Sequence, residues 1–168
     1  MRWMSFSAAA VLAGCATTAI VPTEGDWSYQ ALEYTEDTCG AAGLTGTSIA
    51  TLEALVVTVT LTDEGFEAVI PGFDPVAMTQ DGDDFSGVAG LDWEITEWED
   101  ADGNTVESTL DMSMDMNMSG TFLDENTGSF EAVLDGTCSG DDCEAYMAVN
   151  GVEENPCTAT LVGEFVAQ

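Results

Sequence analysis

Four methionines, Met112, Met114, Met116 and Met118, occupy every second position of one short segment, with Asp111, Ser113, Asp115 and Asn117 between them. Thioethers in that file can do three things. They can pack as ordinary core, give an adaptable lining to an apolar ligand, or ligate soft Cu(I). Side chains at i and i+2 of a strand stand about 7 Å apart, so a metal would need a further ligand from another strand. Trp93 and Leu134 lie on the apolar faces of flanking segments and complete the candidate ligand-lining set. A second constellation is oxygen-rich. Asp100, Asp102 and Asn104 take positions 1, 3 and 5 of an EF-hand-like loop, and Asp111 takes position 12, a set that would suit Ca²⁺. Glycine stands at position 4 there rather than 6, and a tight hairpin turn explains Asp-Gly and Gly-Asn equally well. Asp81, Asp83 and Asp84, and the group Asp141, Asp142 and Glu144, read as solvated loop tips.

What the chain lacks is as informative. Its single basic residue is Arg2, it has no His, and it carries 32 Asp and Glu, for a net charge of −31. Such a surface repels phosphate backbones, which excludes nucleic acid as a partner. Beyond Arg2 there is no imidazole, amine or guanidinium to act as base, Schiff-base former or anion clamp, so the chain does not read as an enzyme. Paired carboxylates could hydrolyse a glycosidic bond, but among so many acids chance pairs are expected. Hydrophobic residues make up 45% of the chain, enough to fold despite self-repulsion.

The elements that must hold these residues have a period of two. Turn signals recur at Asp63-Glu64-Gly65, Pro71-Gly72, Asp81-Gly82-Asp83, Asp102-Gly103-Asn104, Asp124 to Gly128, Ser139 to Asp142 and Asn150-Gly151. Between them we expect strands at Trp27–Thr35, Leu52–Thr62, Phe66–Ile70, Val76–Thr79, Phe85–Val88, Leu91–Glu99, Thr105–Leu123 (bent at Gly120), Ser129–Cys138, Cys143–Val149 and Cys157–Val166. Leu91, Trp93 and Ile95, like Phe130, Ala132 and Leu134, alternate with polar residues. A meander with one apolar face must close or stack to bury it. We therefore expect an all-β chain: an antiparallel up-and-down meander forming a closed or nearly closed barrel of 8–10 strands, with a two-sheet β-sandwich as the alternative.

The N-terminus has a different character. Met1-Arg2 precedes an apolar run from Trp3 to Gly14 that is too short to span a bilayer. Leu12-Ala13-Gly14-Cys15 at its end resembles the lipobox of bacterial lipoprotein precursors. The resemblance implies a signal peptide over 1–14, a diacylglyceryl group on Cys15, and an anchor in the outer membrane of the cell envelope, since Ala16 rather than Asp follows the cysteine. Residues 15–25 would be the lipidated cysteine and its tether, and 26–168 a single β domain.

That leaves Cys39, Cys138, Cys143 and Cys157, an even number, as befits an exported protein with disulfides. In a strictly alternating ten-strand meander Cys39 lies at one end, Cys138 and Cys143 together at the other, and Cys157 back beside Cys39 if first and last strands pair. Hence the expected bonds are Cys39–Cys157 and Cys138–Cys143. Zinc is disfavoured by the five-residue spacing and the missing His. Gly25-Asp26-Trp27 is similar to the Gly-x-Trp of lipocalin-type barrels. Those families place a basic residue from the last strand over the Trp, and this chain has none to offer there; Trp27 is expected to plug one barrel end. The functional expectation is a non-catalytic binding module for a small apolar ligand, without a resident cofactor. The alternative is an acidic structural or surface-coat protein that takes up divalent cations.

Overall fold

A computed structural model describes residues 19–40, 48–71 and 74–168. The lipobox residues Leu12 to Cys15 lie outside them. Eight strands run β1 (Gly25–Asp37), β2 (Val56–Thr62), β3 (Gly65–Val69), β4 (Val76–Asp81), β5 (Asp84–Glu99), β6 (Thr105–Asp124), β7 (Thr127–Ser139) and β8 (Cys157–Ala167). Each pairs antiparallel with the next, and β8 pairs with β1, closing an up-and-down barrel. Among the described residues two short helices interrupt the meander, α1 (Ile49–Glu53) and α2 (Cys143–Val149).

Three local expectations are corrected. The segments 85–88 and 91–99 form the single strand β5, because Ala89 and Gly90 keep their pairing with Met116 and Asp115 of β6. Cys143–Val149 is helical: Glu, Ala and Met are good helix formers, and its two buried residues, Cys143 and Met147, are four apart on one helical face. Leu52 and Glu53 end α1, whose first turn is capped by the Ser48 hydroxyl accepting from the Thr51 amide at 3.2 Å. The β6 register runs unbroken from Phe85 through Gly120 to Phe130.

Removing two strands from ten leaves an even number, so first and last strands still meet. The chain carries the disulfides Cys39–Cys157 and Cys138–Cys143. Their placement differs from the expectation in one respect. Fusing two segments into β5 removes one chain reversal before Cys138, so β7 runs in the direction of β1. Both disulfides therefore brace the same end, packed with Leu110, Met112 and Met147.

The opposite end is the floor. Trp27, Phe66, Phe85, Phe122 and Phe165 fill it, with Phe122 touching the other four at ring-centroid distances of 5.0–6.3 Å. Glycines face the rings. A Cβ on Gly120 would strike the Phe85 ring and the Ser129 carbonyl, and one on Gly128 would strike Phe165. Beneath lies the segment before β1. The Ile20 amide donates to Asp83 Oδ1 at 2.8 Å, Gln80 Nε2 donates to the Ile20 carbonyl at 2.6 Å, and the Thr23 amide donates to the Glu125 carbonyl at 2.8 Å. Half of the expected tether is thus fastened to the barrel.

The wall is uneven in height. β1 pairs with β2 only over Gly25–Ser28, and β4 with β5 only over Met78–Asp81. Above the floor the wall consists of the long strands β5, β6, β7, β8 and β1. The gap between β5 and β1 is flanked by α1 and by Ile70 and Pro71.

Candidate ligand cavity in the middle of the barrel

The inward face of β1 begins at Trp27 and Tyr29 and would continue, by simple alternation, at Ala31 and Glu33. A β-bulge prevents this. Gln30 pairs with Glu164 and Glu33 with Val162, so Ala31 and Leu32 together oppose Gly163. Ala31 takes φ 51°, a left-handed conformation that costs an alanine roughly 1–2 kcal/mol. The extra residue turns Leu32 and Tyr34 inward and Glu33 outward. Gly163 makes the space: a Cβ there would strike Leu32 Cδ2.

Between the ring-filled floor and the disulfide end lies a cavity of about 260 Å³. From β6 it is lined by Met114, Met116 and Met118, from β7 by Ala132 and Leu134, and from β8 by Leu161. The space exists because inward positions at this height carry Ala89 and Ala132, where the floor carries Phe. No charged side chain lines it. In a chain with 32 acids, that is a strong segregation of charge to the outside, and among the described residues no polar or charged residue is fully buried.

Three side chains bring hydroxyls to the lining: Tyr29, Tyr34 and Thr51. Thr51 Oγ1 lies 2.9 Å from Ser48 Oγ and is paired there. The Tyr34 phenol is raised by burial and then by the charge of Asp37, and it is only half-buried. Tyr29 is the deepest. Its ring packs on Phe130 at 5.3 Å, burial pushes its phenol up to about 12, and its hydroxyl has no hydrogen-bond partner among the described residues.

Of the residues singled out in the sequence, Met114, Met116, Met118 and Leu134 come together on the wall. Met112 and Trp93 do not. They pair across β5 and β6 one level higher and belong to the disulfide end. The cavity lining takes no methionine from a second strand, so nothing in it supplies the further thioether that Cu(I) would need. The oxygen set Asp100, Asp102, Asn104 and Asp111 is not assembled. Asp100 folds back on its own turn, accepting from the amides of Asp102 at 2.9 Å and Asn104 at 2.8 Å. These bonds, that of Asn104 first, hold its carboxyl below the usual carboxylate range. Asp111 lies six residues up β6 from Thr105, roughly 20 Å of strand, opposite Glu94 and Ser139. Among the described residues no group of three acids or cysteines is arranged to hold a metal ion.

Sequence reasoning missed Tyr29, Leu32 and Tyr34. The signal was present: large apolar residues at 27, 29, 32 and 34 change parity in mid-strand, which is how a bulge reads in sequence. Trp27, by contrast, plugs the floor as expected, 2% exposed, its Nε1 donating to the Thr23 carbonyl at 2.9 Å. The side chain from the last strand that packs on it is Phe165, at 5.0 Å, where the lipocalin-like pattern would put a basic residue. No protein-family model matches this chain, and neither a curated protein sequence nor a solved structure matches it.

Proposed function

We propose that this protein is a non-catalytic binding module that holds one small apolar molecule in the middle of its barrel. The observation that carries the reading is a cavity with no charged residue in its lining inside a chain of net charge −31. Left unfilled, 260 Å³ of apolar space deprives its lining of packing contacts. Water entering it finds few partners, since stable internal water needs two to four polar groups. An apolar guest removes both costs. The methionine wall suits this role, because unbranched thioether side chains re-pack around different shapes. The test is a titration with phenylnaphthylamine, a neutral fluorophore that brightens in apolar surroundings. One saturable site per chain, abolished by Ala89→Leu in a protein that still folds, supports the reading. A linear, unsaturable rise would refute it.

We further propose that the module is a lipoprotein of the outer membrane, acylated on Cys15. Support comes from the motif Leu12-Ala13-Gly14-Cys15 and from two disulfides, which belong to oxidising compartments. Cys15 stands five residues before Ile20, at most about 18 Å of extended chain. Because Ile20 is fastened to the floor, the floor would face the membrane and the cavity, with its gap between β5 and β1, would lie above it. In the source bacterium Cys15→Ala should move the protein from the membrane to the soluble fraction; retention in the membrane would count against acylation.

A further inference from the structure

The identity of the guest can be narrowed, on the footing that the cavity binds one. Three observations bear on it. First, the Tyr29 hydroxyl is without a partner among the described residues, while its side chain lines both the main cavity and a smaller space of about 50 Å³ beneath it. It therefore stands at the deep end, where a guest's leading atoms arrive. Second, it is the one hydroxyl in the lining suited to the task. Thr51 is already paired with Ser48, and Tyr34 is half-buried beside Asp37, open to water. Third, no Lys, Arg or His exists anywhere after Arg2, and no acid lines the cavity. An ionised guest of either sign would lose its water and find no counter-charge, a desolvation cost that nothing repays. A buried phenol is both donor and acceptor and carries no charge.

We propose that the guest is a neutral apolar molecule with a single oxygen function, an ester, ketone, ether or alcohol, whose oxygen accepts a hydrogen bond from Tyr29 Oη, and that carboxylate lipids are refused. The phenol stays protonated across the physiological range, since burial holds its pKa well above that of a free tyrosine, so the donor is always available. The arrangement inverts the usual solution for fatty anions, in which a cationic side chain waits inside the pocket. Here selectivity comes from a neutral donor and from the absence of any cation.

The test uses the folded, disulfide-bonded protein with bound phenylnaphthylamine and a displacement series built on one decyl or decanoyl chain: decane, decanol, methyl decanoate and decanoate at neutral pH. Each is run on wild type, Tyr29→Phe and Tyr146→Phe. Tyr146 packs against Trp98 at the disulfide end, outside the cavity. Methyl decanoate and decanol should compete, and decanoate should be weaker than the ester by roughly tenfold or more. In Tyr29→Phe, affinity for ester and alcohol should fall about five- to tenfold while decane is unaffected. Tyr146→Phe should match wild type throughout. Melting curves check that both variants fold. Decanoate binding as tightly as the ester, or an ester affinity unmoved by Tyr29→Phe, would overturn the selectivity and leave the binding reading standing. Failure of the fluorophore and of every probe to bind wild type would overturn both.

Discussion

The floor and the middle of this barrel are enclosed by one sheet, and both are apolar, yet one is full and the other hollow. On the floor, rigid rings meet glycines: Phe85 lies against Gly120 and Phe165 against Gly128. One level up, flexible thioethers face alanines: Met116 pairs with Ala89, and Met118 with Ala132. Total hydrophobicity does not separate the two levels. The difference lies in the size and stiffness of what points inward, and in whether the small residue is matched to a large neighbour or left unmatched. A ring opposite a glycine fills space with one conformation. A methionine opposite an alanine leaves space and keeps the freedom to fill it around a guest.

The comparison breaks most easily at its full end. Phe122→Ala removes the ring that touches Trp27, Phe66, Phe85 and Phe165, and should cost about 3–5 kcal/mol in urea denaturation. A loss under about 1 kcal/mol would mean that the floor is not close-packed.

The next effect belongs to the boundary between the two levels. The Tyr29 phenol is raised from 10.0 to about 12 by burial. Its folded pKa lies above its unfolded one, so the stabilising contribution is complete below about pH 10 and is lost as pH rises towards 12. Over that window wild type should lose on the order of 2–3 kcal/mol that Tyr29→Phe does not lose. Parallel alkaline melting curves for the two proteins would show instead that this hydroxyl is well solvated.

The smallest effects sharpen the contrast by adding carbon at each level. Gly120→Ala adds one methyl group to the floor, where it meets Phe85 and the Ser129 carbonyl, and should destabilise by about 1–3 kcal/mol. Ala89→Leu adds three carbons to the cavity and should change stability by less than about 1 kcal/mol. If the larger insertion proves the more damaging, the middle of the barrel is not open.

Much of this architecture is legible in the chain because period two is hard to disguise. Leu91, Trp93 and Ile95, set against Asp92, Glu94 and Thr96, specify one apolar face of β5 on inspection. The pairing of Cys39 with Cys157 follows from closure alone, and it survives an error in strand count because the two mistaken strands cancel in parity. Where parity was not protected, the reading failed: Cys138 and Cys143 sit at the end opposite to the one expected. Helix α2 escaped because Cys-Glu-Ala-Tyr-Met-Ala-Val is too short for a 3.6-residue period to emerge from an alternating one. The methionine wall was visible, since it lies on one uninterrupted strand. Its partners on β1 are marked only by the change of parity between Tyr29 and Leu32, since the bulge at Ala31 carries neither Gly nor Asn. Tertiary gaps such as the one between β5 and β1 depend on what lies across the sheet, which a single strand's sequence does not contain.

Native mass spectrometry of the protein purified from its own source tests the central claim most directly. Wild type should retain one small neutral molecule per chain, and Ala89→Leu, folded and disulfide-bonded, should emerge bare. A wild-type chain as empty as the filled variant would contradict the account.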